Sequence, residues 1–346
     1  MGTTENPGTD RVALDDAFDV MLVGWSFVRS KLMMTALDLG LFEALGERPG
    51  TVEELAERLG LHPRAAADFL DALTALGLLE RTDGVYRNGP AAGRNLVPGA
   101  PGYVGGFLTM TSAFMGTGWD SLSDLLRTGL AHRQEGAEVP FAQIYRDKER
   151  LRQFLSAMDS LNGAIGPELA RRFDWGRHKS FVDVGGARGN LAARLLTEHP
   201  HLSGGVFDRQ VMKPFLDELA DEHGVADRIA FHGGDFYVDR LPTAEVVVFG
   251  NVLHDCPVDV RRGLIAQAAA GVGPGGAVIV YDPMIDDARS EIDTLLLSLT
   301  MMLQSPAGNE YTPSECAGWM REAGLEVESV FDLPAHATAV VGRRPA

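Results

Sequence analysis

A glycine-rich run behind an apolar segment is the part of this sequence best suited to hold a nucleotide-like cofactor. Residues 181–189 read FVDVGGARG, which predicts a buried strand that breaks into a turn and opens a helix. Glycine suits such a turn because a Cβ would block close approach of the backbone to a ligand, and because glycine takes positive φ at little cost. An ordinary tight strand–helix turn would use the same residues, so both interpretations stay open at this point.

The spacing inside this run narrows the choice of ligand. It is not the G-x-G-x-x-G pattern of dinucleotide sites, and no lysine and hydroxyl follow it as in a P-loop. Asp183 lies within the strand itself, and an acid there suits a cationic amine better than it suits phosphates. The run therefore favours S-adenosylmethionine (SAM) over NAD or ATP.

Polar residues also follow the later apolar segments. Asp208 is placed to bond ribose hydroxyls, Asp235 and Phe236 to hold an adenine amino group and face, and His254 and Asp282 come after two further segments. Each acid alone is more often a turn or cap residue than a ligand. Three acids at successive strand ends favour one adenosine-bearing ligand, because ligands of parallel sheets bind outside the carboxyl ends of the strands.

The elements that must position these residues are an alternation of short apolar runs and helices in the second half of the chain. Strands are predicted at 181–184, 205–207, 229–232, 245–249, 277–281, 327–331 and 338–341. Helices are predicted at 190–199, 211–223, 258–270 and 313–323. This alternation predicts an α/β fold with a mostly parallel sheet covered on both faces and a pair of strands closing one edge.

The N-terminal part has the element order of a winged helix. Helical patterns at 16–45 (broken near Gly40), 51–59 and 63–76 precede a hairpin signal around Thr82-Asp83-Gly84. DNA binding is disfavoured, because the third helix carries Asp68 and Asp71. A packing and dimerisation module is the favoured interpretation, and a ligand-sensing winged-helix regulator is the alternative from another functional class.

Composition limits partners and location. The 346 residues carry a formal charge of −17, with 48 acidic against 31 basic residues, which disfavours nucleic acid as a partner. Apolar runs stop short of the ~18 residues of a membrane span, and no secretion signal is visible, so we expect a cytoplasmic protein that does not bind membranes. Two cysteines without C-x-x-C spacing, and no cluster with ligand spacing, predict no metal site.

The ordered set of motifs resembles the SAM-dependent O-methyltransferases of natural-product biosynthesis, which include plant caffeate and isoflavone enzymes and bacterial relatives acting on anthracyclines and phenazines. The matching motifs are DVGGARG at 183–189, FD at 207–208, GGDF at 233–236, LHD at 253–255 and GNEYT at 308–312. The resemblance implies a Rossmann-like seven-stranded methyltransferase domain, an N-terminal mainly α winged-helix dimerisation domain, a homodimer and a small aromatic substrate. The corresponding boundaries are a disordered tail at 1–10, the dimerisation domain at 11–97, a helical bridge contributing to the substrate pocket at 98–175, and the catalytic domain at 176–346.

The resemblance also assigns roles. His254 would be the general base, oriented by Asp282 and Glu310. The residues expected to hold SAM are Asp183, Gly185, Gly186, Gly189, Asp208, Arg209, Asp235, Phe236 and Asn251. Met158 and Asn162 match positions that face the substrate in this family, while Phe154, Met301 and Met302 are apolar residues that would line a pocket or simply pack in the core.

The chemistry of a histidine base fits a phenolic acceptor. A phenol with a pKa near ~10 is a poor nucleophile, and an imidazole near ~6.5 can take its proton as the oxygen attacks the methyl group. Deprotonation also activates the neighbouring ring carbon, so C-methylation is an alternative. A protein that binds the cofactor without catalysis, or that performs other sulfonium chemistry, is a further one.

Three positions depart from the family pattern. Ala187 stands at the third glycine of the turn, a change we expect to be tolerated if its φ is negative. Gly250 replaces a lysine of many plant members, and Cys256 replaces their tryptophan. The last two changes put the local cofactor contacts in question.

Overall fold

The structure is a computed structural model that describes residues 14–100, 102–130 and 147–346. The chain forms two compact units, Met1–Phe114 and Met115–Ala346. The disordered tail predicted at 1–10 lies outside the described residues.

The N-terminal unit packs short helices against a hairpin. Its helices are α1 (Ala17–Asp38), α2 (Leu41–Glu47), α3 (Val52–Leu59), α4 (Pro63–Ala75) and α5 (Pro90–Asn95), and its strands are β1 (Leu79–Thr82) and β2 (Val85–Asn88). A capping box is present at α3, where Thr51 Oγ1 accepts from the Glu54 amide and the Glu54 carboxylate accepts from the Thr51 amide. Buried Leu41, Phe42 and Leu70 belong to its core. The predicted order of three helical segments and a hairpin is therefore present.

The second unit carries the large sheet. Along the chain, α5 is followed by α6 (Gly105–Gly118). The helices after it are α7 (Leu122–Thr128), α8 (Lys148–Arg172), α9 (Asn190–Glu198), α10 (Lys213–Glu222), α11 (Val258–Gly271), α12 (Ile292–Gln304) and α13 (Pro313–Glu322). The strands are β3 (Ser180–Val184), β4 (Ser203–Asp208), β5 (Ile229–Gly233), β6 (Val246–Gly250), β7 (Ala277–Asp282), β8 (Glu326–Asp332) and β9 (Thr338–Arg343). All seven predicted strands and the four helices predicted among them are confirmed.

The sheet order is β5-β4-β3-β6-β7-β9-β8. Neighbours from β5 to β7 are parallel, whereas β9 runs antiparallel to both β7 and β8. Successive residues face opposite sides of the sheet, so Phe181 joins one core and Val182 the other. Because both faces are covered by apolar side chains, the polar residues concentrate at the carboxyl ends of the strands, where the predicted site lies.

The sequence did not indicate α12. Its residues IDTLLLSLTMMLQ are apolar on nearly every side, so they lack the polar face that marks an amphipathic helix. Met301 and Met302 lie in its last turn and are half-buried.

Candidate active site

The glycine run after β3 forms a tight turn, residues 185–189, which we call the donor turn. Gly185 has φ 73° and Gly189 has φ 81°, and the Gly185 amide donates to the Phe207 carbonyl at 2.8 Å. A Cβ on Gly185 would lie 2.5 Å from Cγ2 of Val252, and one on Gly186 would lie 2.5 Å from Oδ2 of Asp183. The turn therefore needs glycine both for its backbone angles and for lack of space.

Ala187 also takes a left-handed conformation, with φ 50°. The condition on which we expected this alanine to be tolerated, a negative φ, is therefore not met. The physical reason is the hydrogen bond that its amide donates to Oδ2 of Asp208 at 2.8 Å, which fixes the direction of the peptide. A non-glycine residue in this region carries strain, of the kind found where a functional site dictates the backbone.

Asp183 lies below the donor turn and is buried. Burial, together with the neighbouring charge of Asp208, raises the pKa of Asp183 to about 7. A carboxyl group in this state ionises readily when a cation arrives, because the opposite charge offsets the cost of desolvation.

Two further acids lie at the next strand ends. Asp208, at the end of β4, accepts from the amides of Ala187 and Arg209 at 2.8 and 2.6 Å. Burial raises the pKa of Asp208, while these two amide bonds oppose the shift. Asp235, after β5, accepts from the Tyr237 amide at 3.0 Å and pairs with the Arg209 guanidinium, also at 3.0 Å. Arg209 thus links the acid predicted to bind ribose with the acid predicted to bind adenine.

Aromatic rings follow Asp235. The rings of Phe236 and Tyr237 lie 4.8 Å apart, and Phe236 packs against the core on one face of the sheet. The Tyr237 hydroxyl lies 3.5 Å from Sγ of Cys256, which is fully buried. Where plant relatives place a tryptophan, this chain therefore places a small thiol against a tyrosine.

The segment after β6 carries the candidate base. Asn251 has φ 53°, and its amide donates to the Tyr281 carbonyl at 3.0 Å, so the chain turns sharply here. Nδ1 of His254 lies 2.8 Å from Oε1 of Glu310, and both side chains are buried or nearly so. With Nδ1 held by the carboxylate, Nε2 is the ring nitrogen left to exchange a proton, and it lies 3.8 Å from Oδ2 of Asp255.

The surrounding acids set the charge of this histidine. Burial lowers the pKa of His254, but the charges of Glu310, Asp282 and Asp255 outweigh it and raise that pKa to about 10. The ring is therefore far more basic than an isolated imidazole, and its proton affinity is close to that of a phenol.

Asp282, at the end of β7, makes different contacts from those of Glu310. Its Oδ1 accepts from the Val252 amide at 3.1 Å, and its Oδ2 accepts from the Tyr311 hydroxyl. Asp282 thus bonds the main chain just before His254, whereas Glu310 bonds the His254 ring itself. Glu310 is itself placed by the loop before α13, a helix that begins with a capping box between Thr312 and Glu315.

The predicted acceptor residues lie on α8 and α12. Met158 is half-buried on α8, and Phe154 packs with Leu151, Leu155 and Met212 in a small apolar cluster that also includes Ala187. Asn162 lies in α8, but its side chain is outside the described part of the structure. Nε of Arg188, in the donor turn, donates to Oδ2 of Asp159 at 2.7 Å. An ion pair and an apolar cluster therefore join α8 to the donor turn.

Known proteins match both parts of the chain. Residues 119–326 match the O-methyltransferase domain, and residues 23–97 match the O-methyltransferase dimerisation domain. The chain belongs to the O-methyltransferase family. It is a SAM-dependent methyltransferase, and the match covers every site residue described above from Met158 to Glu310.

Three proteins illustrate how far the similarity extends. The tetracenomycin polyketide synthesis 8-O-methyl transferase TcmO of Streptomyces glaucescens is 44% identical over 94% of this chain and 96% of its own length. The N,N-dimethyltransferase OxyT of Streptomyces rimosus is 40% identical over 87% of this chain and 88% of its own. The crystal structure of human N-acetylserotonin methyltransferase in complex with SAM superposes with a TM-score of 0.85, at 26% identity and full coverage of both chains.

The site residues of the methyltransferase fit its donor. The donor turn forms a cradle that side chains would fill, and the carboxylates of buried Asp183 and of half-buried Asp208 and Asp235 lie at three successive strand ends. Such a set suits a donor that carries hydroxyl and amino groups. A Cβ on Gly250 would strike the ring of Tyr281, so this position has no room for a side chain.

One residue of the methyltransferase site carries no sequence motif. Arg261 on α11 is fully buried and donates to main-chain carbonyls of the segments around both His254 and Glu310. Carbonyl partners are shared by every residue type, so no pattern in the sequence could have revealed them. Position is the one available signal, since Arg261 lies in the first turn of the helix that follows His254.

Proposed function

We propose that this methyltransferase methylates a phenolic hydroxyl of an aromatic polyketide intermediate, with His254 as the general base. The observation that carries the proposal is the 2.8 Å contact between Nδ1 of His254 and Glu310, which leaves Nε2 to take the acceptor proton. The acceptor class is supported by the name of TcmO, which is 44% identical along nearly the whole chain. An enzyme family match also favours this function over a ligand-sensing regulator.

The residues divide the chemistry between them. When bound, SAM supplies the methyl group and leaves as S-adenosylhomocysteine, the electron pair of the broken carbon–sulfur bond remaining on sulfur. Asp183, Asp208, Asp235 and the donor turn hold it, and Nε2 of His254 receives the proton as the acceptor oxygen forms its bond to the methyl carbon. Glu310 and Asp282 stabilise the imidazolium that results. The proton affinities of ring and phenol are close, so this transfer needs little free energy.

The test is product analysis with a defined acceptor panel. The purified protein is incubated with SAM and, separately, with 1,8-dihydroxyanthraquinone, 1-naphthol and 1-naphthylamine, and S-adenosylhomocysteine is quantified by mass spectrometry. We expect turnover with a phenol and a new methyl carbon bonded to oxygen in the NMR spectrum. Absence of S-adenosylhomocysteine above the control with both phenols, or a methyl group on a ring carbon, would contradict the proposal.

N-methylation is a second candidate, because OxyT is named as an N,N-dimethyltransferase and is 40% identical to this chain. A neutral His254 could equally accept the proton that an amine loses after methylation. Turnover with 1-naphthylamine and none with either phenol would favour this candidate.

We further propose that the enzyme is a cytoplasmic homodimer. Large apolar side chains of α1 are exposed, with Trp25 at 65% and Phe27 at 69%, and residues 23–97 match a dimerisation domain. By length and composition α1 could also span a membrane, but Arg29 and Lys31 lie within it. Cys256 and Cys316 are free thiols, as suits a reducing compartment. Light scattering should give the mass of two chains without detergent, and the mass of one for Trp25→Glu; a detergent requirement would contradict this assignment.

A further inference from the structure

Arg261 is the most deeply buried cation of the described residues, and its contacts lie next to the candidate base. It is fully buried, and its Nε donates to the Cys256 carbonyl at 2.7 Å. Its Nη2 donates to the carbonyl and to Oδ1 of Asn309, both at 2.8 Å, and lies 3.4 Å from the His254 carbonyl. One guanidinium therefore bonds both the segment around Cys256 and the segment around Asn309, which is 48 residues from Arg261 along the chain.

Aromatic rings fix the plane of this guanidinium. Its central carbon lies 4.8 Å from the ring centre of Tyr311 and 5.9 Å from that of Trp319. Stacking of this kind favours arginine over lysine, whose ammonium group has neither the planar fork nor the weak hydration of a guanidinium. Because a buried cation is costly unless its surroundings compensate, such a position indicates a specific structural task.

The two segments joined by Arg261 carry the candidate general base, His254, and the carboxylate that bonds it, Glu310. The Asn309 amide donates to the His254 carbonyl at 2.9 Å, so the segments are already in main-chain contact. Next to this contact, Nδ1 of His254 meets Oε1 of Glu310 at 2.8 Å. A shift of about 1 Å between the segments would break that hydrogen bond, and misplacement on this scale costs a large factor in rate.

We propose that Arg261 is a positioning residue that holds His254 and Glu310 in register, acting on proton transfer without touching acceptor or donor. This inference rests on the proposed role of His254 as the base. The helix α11 would then do more than cover the sheet, because the Arg261 guanidinium bonds both the segment of His254 and the segment of Glu310.

The test replaces Arg261 by lysine, which keeps the charge but cannot form the forked contacts. The matched control is Arg262→Lys, because Arg262 is the next residue, is half-exposed and pairs only with surface Glu322 among the described residues. If Arg261→Lys fails to fold, Asn309→Ala takes its place, as it removes the side-chain oxygen that Arg261 binds and leaves the arginine intact. Folding of each variant is checked by S-adenosylhomocysteine binding in a calorimeter.

The first readout does not depend on any acceptor. Histidine-selective ¹⁵N NMR follows the titration and tautomer of His254, whose signal is identified by its loss in His254→Asn. We expect the midpoint of His254 to fall in Arg261→Lys by at least one pH unit, because its bond to Glu310 loosens. An unchanged midpoint in a folded Arg261→Lys, or in Asn309→Ala where the lysine variant does not fold, would overturn the inference. An equal fall in Arg262→Lys would overturn it too.

The second readout uses the phenolic acceptor from the panel above. Arg261→Lys should lower the single-turnover rate about 10- to 100-fold while the acceptor KM and the affinity for S-adenosylhomocysteine stay within twofold. Failure of the proposed function would show as no turnover in the wild-type enzyme, while the NMR titration would still report on Arg261. If Arg261→Lys weakened only the binding of acceptor or S-adenosylhomocysteine and left the single-turnover rate unchanged, Arg261 would be a merely structural residue and the inference would be overturned.

Discussion

The donor turn and His254 follow neighbouring parallel strands, β3 and β6. The donor turn and the pair that His254 forms with Glu310 are nevertheless held by different kinds of bond. In the donor turn, main-chain amides donate to the Phe207 carbonyl and to Asp208. The hydrogen bond between His254 and Glu310 joins two side chains that are 56 residues apart. Main-chain bonds tolerate changes of side chain, whereas the bond between His254 and Glu310 depends on both residue types and on the distance between the two segments that carry them.

This difference implies that substitutions can impair cofactor binding and proton transfer separately in this enzyme. Substitutions at the donor turn should act on cofactor affinity and on the stability of the turn. Substitutions at His254 or Glu310 should act on the chemical step. The variants that follow test whether cofactor binding and the chemical step can be separated in this way.

The largest effect is expected from His254→Ala. Loss of the general base should lower turnover by ~10²–10⁴-fold, because the acceptor then gives its proton to water. The affinity for S-adenosylhomocysteine, measured by calorimetry, should stay within a factor of about two, since the ring does not hold the donor turn. Unchanged turnover would remove His254 as the base, although it would leave the family assignment intact.

The opposite pattern is expected from Asp208→Asn. A hydrogen bond to a charged group contributes ~1.5–3 kcal/mol, so the affinity for S-adenosylhomocysteine should fall roughly 10- to 100-fold. At saturating SAM the single-turnover rate should change less than about threefold. A large loss of rate with normal affinity would show that the two regions are not separable.

The smallest effect is expected from Ala187→Gly. Glycine relieves the left-handed strain at φ 50°, so the free energy of unfolding of the second unit should rise by about 0.5–1 kcal/mol. Ala266→Gly is the matched control, because Ala266 is exposed within α11 and glycine there should cost about 1 kcal/mol. Chemical denaturation of both variants measures the difference, and a fall for Ala187→Gly would mean that its methyl contacts outweigh the strain.

The same division explains what the sequence could predict. The strands, the donor turn and the acids after the strands are local patterns, and their positions are confirmed by the fold. The positive φ of Ala187 could not be predicted, because the bond from its amide to Asp208, 21 residues away, decides it. The partnership of His254 and Glu310 came from the family resemblance, and Arg261 was missed, because contacts between distant segments leave no periodicity in the sequence.

We propose that His254 takes the acceptor proton and that the charge of Glu310 sets the pKa of its ring. The most direct test is the pH dependence of the single-turnover rate, from pH 6 to 10, in the wild-type enzyme and in Glu310→Gln. Burial lowers the pKa of His254, and the anion of Glu310 contributes most to raising it to about 10. Loss of that anion therefore lowers the pKa, so that a larger fraction of the ring is neutral at any given pH below it.

In the wild type the rate should therefore rise with pH through the neutral range, and in Glu310→Gln this rise should move to lower pH by roughly one unit or more. The maximal rate of the variant should be lower, because a neutral amide stabilises the imidazolium less than a carboxylate does. Superimposable profiles for the two enzymes would contradict the claim.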